Sequence, residues 1–179
     1  MKFAVFAAIL SIATPSFAQM HGHEVDENGN LIHDMRGMPG LQGRNAEPHE
    51  SEELAIMFNK FNTLSRTVEN LPNGIRTLTT SSDREVMDAL VSHVVGMIGR
   101  VEAKDDPQIF IQSPTLDIFF ERSEKIETTI DVTDEGIVVV QTTDDPELIE
   151  AMHIHAAEVS DMAARGMQAV HEQMMGRMH

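Results

Sequence analysis

Two histidines, His93 and His155, stand at the same register of two similar stretches of a 179-residue chain. Imidazole is the side chain best suited to bind a transition metal or exchange a proton near neutral pH. In the first stretch Val86, Leu90, His93 and Met97 follow one another at spacings of four, three and four, which is one face of a helix. In the second, Leu148, Met152, His155, Val159 and Met162 keep the same rhythm. A lone histidine on an apolar stripe is usually a core residue that donates to a carbonyl or carboxylate. The repetition of register favours a site instead. Burial disfavours the charged imidazole, and the neutral form is the one that ligates metal. With the thioethers of Met97 and Met152 within a turn, two imidazoles and one or two sulfurs make a donor set suited to copper. The alternative cofactor is a bis-histidine haem with Phe58, Phe119 and Phe120 as walls, although no cysteine exists to attach it. His153, two residues before His155, lies about 200° around the helix and is expected in solvent.

Methionine and histidine also crowd both ends of the chain. At one end stand Met20, His21, His23, His33, Met35 and Met38; at the other, Met167, His171, Met174, Met175, Met178 and His179. If processing leaves Gln19 first, its amine, two backbone amides and the His21 imidazole form a square of nitrogens of the kind Cu(II) and Ni(II) favour. Met167, His171, Met174 and Met178 again follow at four, three and four. That stripe reads either as a docking face, for the domain itself or for a second subunit in a homodimer, or as a secondary metal site.

The elements that must position the central pair come from a repeat with an offset of sixty-two residues. Residues 54–97 match 116–159 at eleven of forty-four positions without a gap, including Thr67 with Thr129, Gly74-Ile75 with Gly136-Ile137, and Asp83, Glu85, Ala89 and His93 with Asp145, Glu147, Ala151 and His155. Each unit, about 51–104 and about 113–166, reads as helix, hairpin, helix. Ser51 is the expected N-cap of the first helix, with Glu52 and Glu53 in its first turn. Pro72-Asn73-Gly74 turns the first hairpin, and Ile126, Thr128 and Ile130 alternate with polar residues in the second. The expectation is one α+β domain over 51–179: a four-stranded, mainly antiparallel sheet with helices packed on it and an approximate internal two-fold axis. Two separate mini-domains are the weaker reading, since a hairpin and a helix alone bury too little.

Composition bounds the partners. The opening eighteen residues, a basic Lys2, an apolar run from Phe3 to Ile12 and a small-residue end at Ala18, read as a cleaved export signal, placing the mature chain in the periplasm or outside the cell. Cleavage removes one of the thirteen basic residues and no acidic one, so the net charge of −16 becomes −17, which argues against nucleic acid. No stretch reaches the ~20 apolar residues of a membrane-spanning helix. From Gln19 to Glu50 the sequence is polar, with Pro39 and Pro48, and reads as a mobile tail. There is no cysteine, Gly-rich phosphate loop, nucleophile elbow or HExxH helix. The function expected is therefore copper binding or handling, with a copper-donor or copper-acceptor protein as partner. A copper oxidoreductase at the same site and a metal-free partner-binding domain are the alternatives.

Overall fold

The computed structural model describes Glu24–Val25, Leu31–Ile32 and residues 37–177. Two units divide the chain at residue 33. In the first, β1 (Glu24–Val25) pairs antiparallel with β2 (Leu31–Ile32). The second holds α1 (Pro48–Asn59), β3 (Leu64–Leu71), β4 (Gly74–Ser81), α2 (Arg84–Ala103), α3 (Asp117–Glu121), β5 (Glu127–Thr133), β6 (Gly136–Thr142), α4 (Pro146–Arg165) and α5 (Met167–Gly176). It is an α+β fold whose four antiparallel strands run in the order β3-β4-β6-β5.

Local chemistry explains where these elements start and stop. Asp83 caps α2 by accepting from the Val86 amide at 3.2 Å, and Asp145 caps α4 by accepting from Glu147 at 3.1 Å, with Pro146 in the first turn. The 20-residue helices α2 and α4 therefore begin at matched positions. The first helix starts earlier than expected. Pro48 occupies its first turn, and Glu50 reaches back to accept from the Glu47 amide at 2.7 Å, so Ser51 is a buried helical residue and not the cap. The span expected as a tail also ends sooner: Pro39–Leu41 forms a 3-10 turn that buries Leu41 completely against Ala55, Phe58 and Val170, and Gly43 bridges to Ile109. Buried Leu41 and backbone hydrogen bonds between 40–45 and 107–111 together tie the stretch down.

Both hairpins turn in two residues, Pro72-Asn73 and Asp134-Glu135, and their inner strands meet with Gly74 opposite Thr142 and Thr77 opposite Val139. Thr77 and Val139 are themselves sixty-two residues apart. Gly74 has φ +154°, and a Cβ there would come within 1.9 Å of the Gln141 carbonyl oxygen. Gly74→Ala is expected to cost about 1–3 kcal/mol from backbone strain alone, seen as a lower urea midpoint.

Besides the Leu41 cluster, the core holds two apolar clusters on the inner face of the sheet. One holds Met57, Val86, Ala89, Leu90, Ile137 and Val139; the other holds Ile75, Phe119, Ala151, Met152 and Ala156. Met57, Ala89 and Leu90 correspond to Phe119, Ala151 and Met152 at the same offset, while the matched pair Ile75 and Ile137 is exchanged between clusters. Helix α2 thus packs with a strand of the later hairpin, and α4 lies on β3 and β4. Halves that exchange core residues cannot fold as two mini-domains, because each would lose the apolar surface the other covers. The sheet also carries polar residues among the apolar ones: Thr77 and Thr79 are buried, Arg66 donates from Nη1 to Thr79 Oγ1 at 2.6 Å, and Gln141 donates to Thr128 Oγ1 at 3.3 Å.

Candidate functional site

His93 comes from the middle of α2 and His155 from the middle of α4, and His155 lies within reach of the Arg66 charge. Each ring is only about a fifth to a quarter exposed, 21% for His93 and 25% for His155. Each has its Nδ1 sealed from water with no hydrogen-bond partner. In both cases a carboxylate oxygen faces that nitrogen just beyond bonding distance: Glu53 Oε2 of α1 at 3.7 Å from His93, and Glu158 Oε2, one turn along α4, at 3.9 Å from His155. The carboxylates are themselves held. Ser92 donates to Glu53 Oε1, and Ser113 donates to Glu158 Oε1 at 2.9 Å, with an Arg177 nitrogen 3.8 Å from the same oxygen.

Burial pushes the pKa of His155 down to about 4, and the positive charges of Arg66 and of His93 when protonated push it the same way. Burial alone would raise the pKa of Glu53, but the His93 imidazole and the Ser92 hydroxyl outweigh it and leave the carboxyl below its usual range. Phe119 meets His155 edge-on, with centroids 5.7 Å apart.

The low pKa of His155 has a stability consequence. The unfolded imidazole takes up a proton near pH 6.5 and the folded one only near pH 4, so the stabilisation is complete above 6.5 and is lost as the pH falls through that window. The groups facing the ring are Arg66 on β3, His93 on α2 and Glu158 on α4 itself. Chemical denaturation between pH 7 and pH 4 should show a loss of up to about 3 kcal/mol from this residue, and His155→Gln should flatten that part of the profile.

The remaining candidates are less closely gathered. Met152 is fully buried among Ile75, Phe119, Ala151 and Ala156, one turn before His155, while Met97 is half-buried one turn after His93. Met167 is spent on packing with Leu41, Ala55, Phe58 and Val170, whereas His171 and Met174 on the same short helix are exposed. Gln19, Met20, His21, His23 and Met178 lie outside the described residues, as does the expected export signal. His153 is not in solvent: its Nε2 meets the carbonyl oxygens of Gly74 at 2.9 Å and Leu71 at 3.2 Å. Carbonyls only accept, so Nε2 carries the proton and pins α4 to the first hairpin turn.

Sequence reasoning passed over Arg66, Glu53 and Glu158. Glu158 was legible as the i+3 neighbour of His155, and Arg66 as the inward register between Leu64 and Val68. Glu53 reaches His93 from another helix and leaves no local signal. Among the described residues no three His, Asp or Glu side chains gather as metal ligands, so a metal here must take a thioether or an external group with the two imidazoles. Nor is any described helix long and apolar enough to cross a membrane. No protein-family model, characterised protein or solved structure matches the chain.

Proposed function

We propose that this is an exported copper-binding protein that holds the ion between its two halves through Nε2 of His93 and Nε2 of His155, with Met97 or Met152 supplying a thioether. The observation that carries the reading is the pair of carboxylates. A histidine that ligates metal through one nitrogen commonly directs the other toward a carboxylate, which orients the ring and raises its basicity. Glu53 and Glu158 stand on the Nδ1 side of the two histidines at 3.7 and 3.9 Å, leaving Nε2 as the ligating atom in each. A tightening of roughly 0.5–1 Å makes both contacts hydrogen bonds.

The charge balance points to a soft, low-charge ion. His155 stays neutral through the physiological range, so no proton need leave it before metal binds. Arg66 beside it opposes a divalent ion more than a monovalent one, which suits Cu(I) with nitrogen and sulfur donors. The matched positions of the two clusters support a second element of the proposal, that the halves are repeats of one unit. Exposed His171 and Met174 suit a weaker transfer site facing a donor or acceptor protein.

The test is to express the chain in a periplasm supplied with copper and to measure bound metals and the visible spectrum, beside a chain lacking residues 19–36. About one tightly held copper in both forms supports the central site. Copper lost with the tail places the site there, a Soret band makes the protein a haem binder, and absence of both ions from both forms ends the proposal.

A further inference from the structure

The two edge strands of the sheet, β3 and β5, are finished differently. A free edge offers unpaired backbone groups to another strand, and one common guard against this is a charged side chain on the inward face. β3 has that guard in Arg66, which turns inward to donate to Thr79. It also carries exposed, polar Asn70 near its end, and α4 packs closely along it: Val68 joins the cluster of Ala151 and Ala156, and His153 bonds the hairpin turn. The inward residues of β5 are Thr128, Ile130 and Val132, none of them charged, and the strand contains neither lysine nor proline. Val132, sixty-two positions after Asn70, is 56% exposed.

The helix over β5 is open on the same side. Ser92 and Arg100 of α2 hold Glu53 and Glu50 of α1, which assigns one flank of α2 to that contact. At about 100° per residue the opposite flank carries Met87, Val91, Val94 and Ile98. All four are only half-buried, on the cluster that Ile130 also borders, and Val95 beside them is 47% exposed. The matching positions of α4 hold Ile149, His153, Ala156 and Ser160, a smaller and more polar set with which that helix closes on its own edge strand. An apolar seam thus runs along α2 and β5, where α4 and β3 are closed.

We propose that this seam docks a second copy of the chain, β5 against β5 across a two-fold axis, so that the two sheets join edge to edge and the α2 flanks face each other. The charge pattern of β5 selects both the second copy and its register. Side chains alternate between faces, so two antiparallel β5 strands keep their apolar residues together only in registers that differ by steps of two. With Ile130 opposite Ile130 of the second copy, Glu127 lies opposite Thr133, Asp131 opposite Thr129, and Val132 opposite Thr128. A shift of two in one direction sets Asp131 against Asp131, and in the other against Glu127, and like charges directly opposite are destabilising. One register therefore covers Val132 and sets every acid of the strand opposite a threonine. The interface needs no metal and stands apart from the copper proposal.

The test measures the mass of the metal-free full chain by sedimentation equilibrium over a range of concentrations, with amide hydrogen exchange in β5 as the second readout. The parent should form a dimer in which the outward amides of Glu127–Thr133 gain protection as the concentration rises. Val132→Lys, which gives β5 the inward charge that β3 already has, should stay monomeric. Thr129 is exposed on the opposite face, so its variants leave the core intact. Thr129→Lys should tighten the dimer by roughly two- to thirtyfold through two new pairs with Asp131, and Thr129→Glu should weaken it. A parent that stays monomeric overturns the proposal, whether the seam is solvated or covered by the chain's own N-terminal segment. So does a dimer in which Val132→Lys and both Thr129 variants associate as the parent does, since another surface then joins the copies. Where Val132→Lys fails to fold, the opposed effects of the two Thr129 variants decide, and equal association in both overturns the proposal.

Discussion

Replacing both His93 and His155 by alanine is expected to abolish tight copper binding while leaving the α+β fold in place. Both rings are partly exposed, neither belongs to a buried apolar cluster, and the Nδ1 of each has no hydrogen-bond partner, so their loss removes ligands without removing a core residue. The affinity lost should exceed the roughly 10–100-fold that partners of the ligands are worth. Glu53→Gln and Glu158→Gln supply that lower scale, each weakening binding by about 10–100-fold with the ligands still present. Equilibrium competition against a copper chelator measures all four proteins, and circular dichroism checks that each is folded. A double variant that keeps the parental copper affinity would remove the histidines from the site.

The second large effect is on stability. Arg100→Met is expected to destabilise the domain by about 3–5 kcal/mol, because it strands a buried carboxylate. The Glu50 side chain is 6% exposed and that of Arg100 12%, and their bidentate contact joins α1 to α2. The same guanidinium donates to the Asn45 carbonyl at 3.1 Å and pairs with Asp105, to which Asn45 Nδ2 donates at 2.7 Å. One arginine thus fastens the segment before α1 and the segment after α2 to the same end of the α1–α2 contact. Removing both charges in Arg100→Met/Glu50→Leu should recover much of the loss, since the isolated charge is the costly species and not the absence of the pair. The single variant should also weaken copper binding, because α1 carries Glu53 and α2 carries His93. Urea denaturation of parent, single and double variants gives these differences directly.

Much of the architecture was legible in the sequence because local chemistry dictates it. Asp83 and Asp145 mark helix starts whatever surrounds them, and the Gly of Pro72-Asn73-Gly74 closes the first hairpin turn with the positive φ such a turn asks for. The repeated register of His93 and His155 is kept in the fold as matched positions in the middle of α2 and α4. What was not legible depends on contacts between distant residues. Leu41 looked like one apolar residue in a tail, and only Ala55, Phe58 and Val170 make it a core residue. His153 was expected in solvent from its helical angle, but two hairpin carbonyls converge on that side of α4. Ser51 was a good local cap that lost to Pro48 and the Glu47–Glu50 contact one turn earlier. Glu53 could not be assigned to His93 until α1 was placed against α2, and the exposed residues of α5 leave no local mark that separates metal capture from docking.

The central claim is that both imidazoles bind one copper ion through Nε2 while Nδ1 stays protonated toward Glu53 and Glu158. The most direct test is a long-range proton–nitrogen correlation spectrum of protein labelled with 15N histidine, recorded during titration with Cu(I). The account predicts that the Nε2 signals of His93 and His155 move together, saturate at one equivalent, and leave both Nδ1 signals in the protonated range. Movement of only the tail and α5 histidines, with His93 and His155 unchanged, would contradict it.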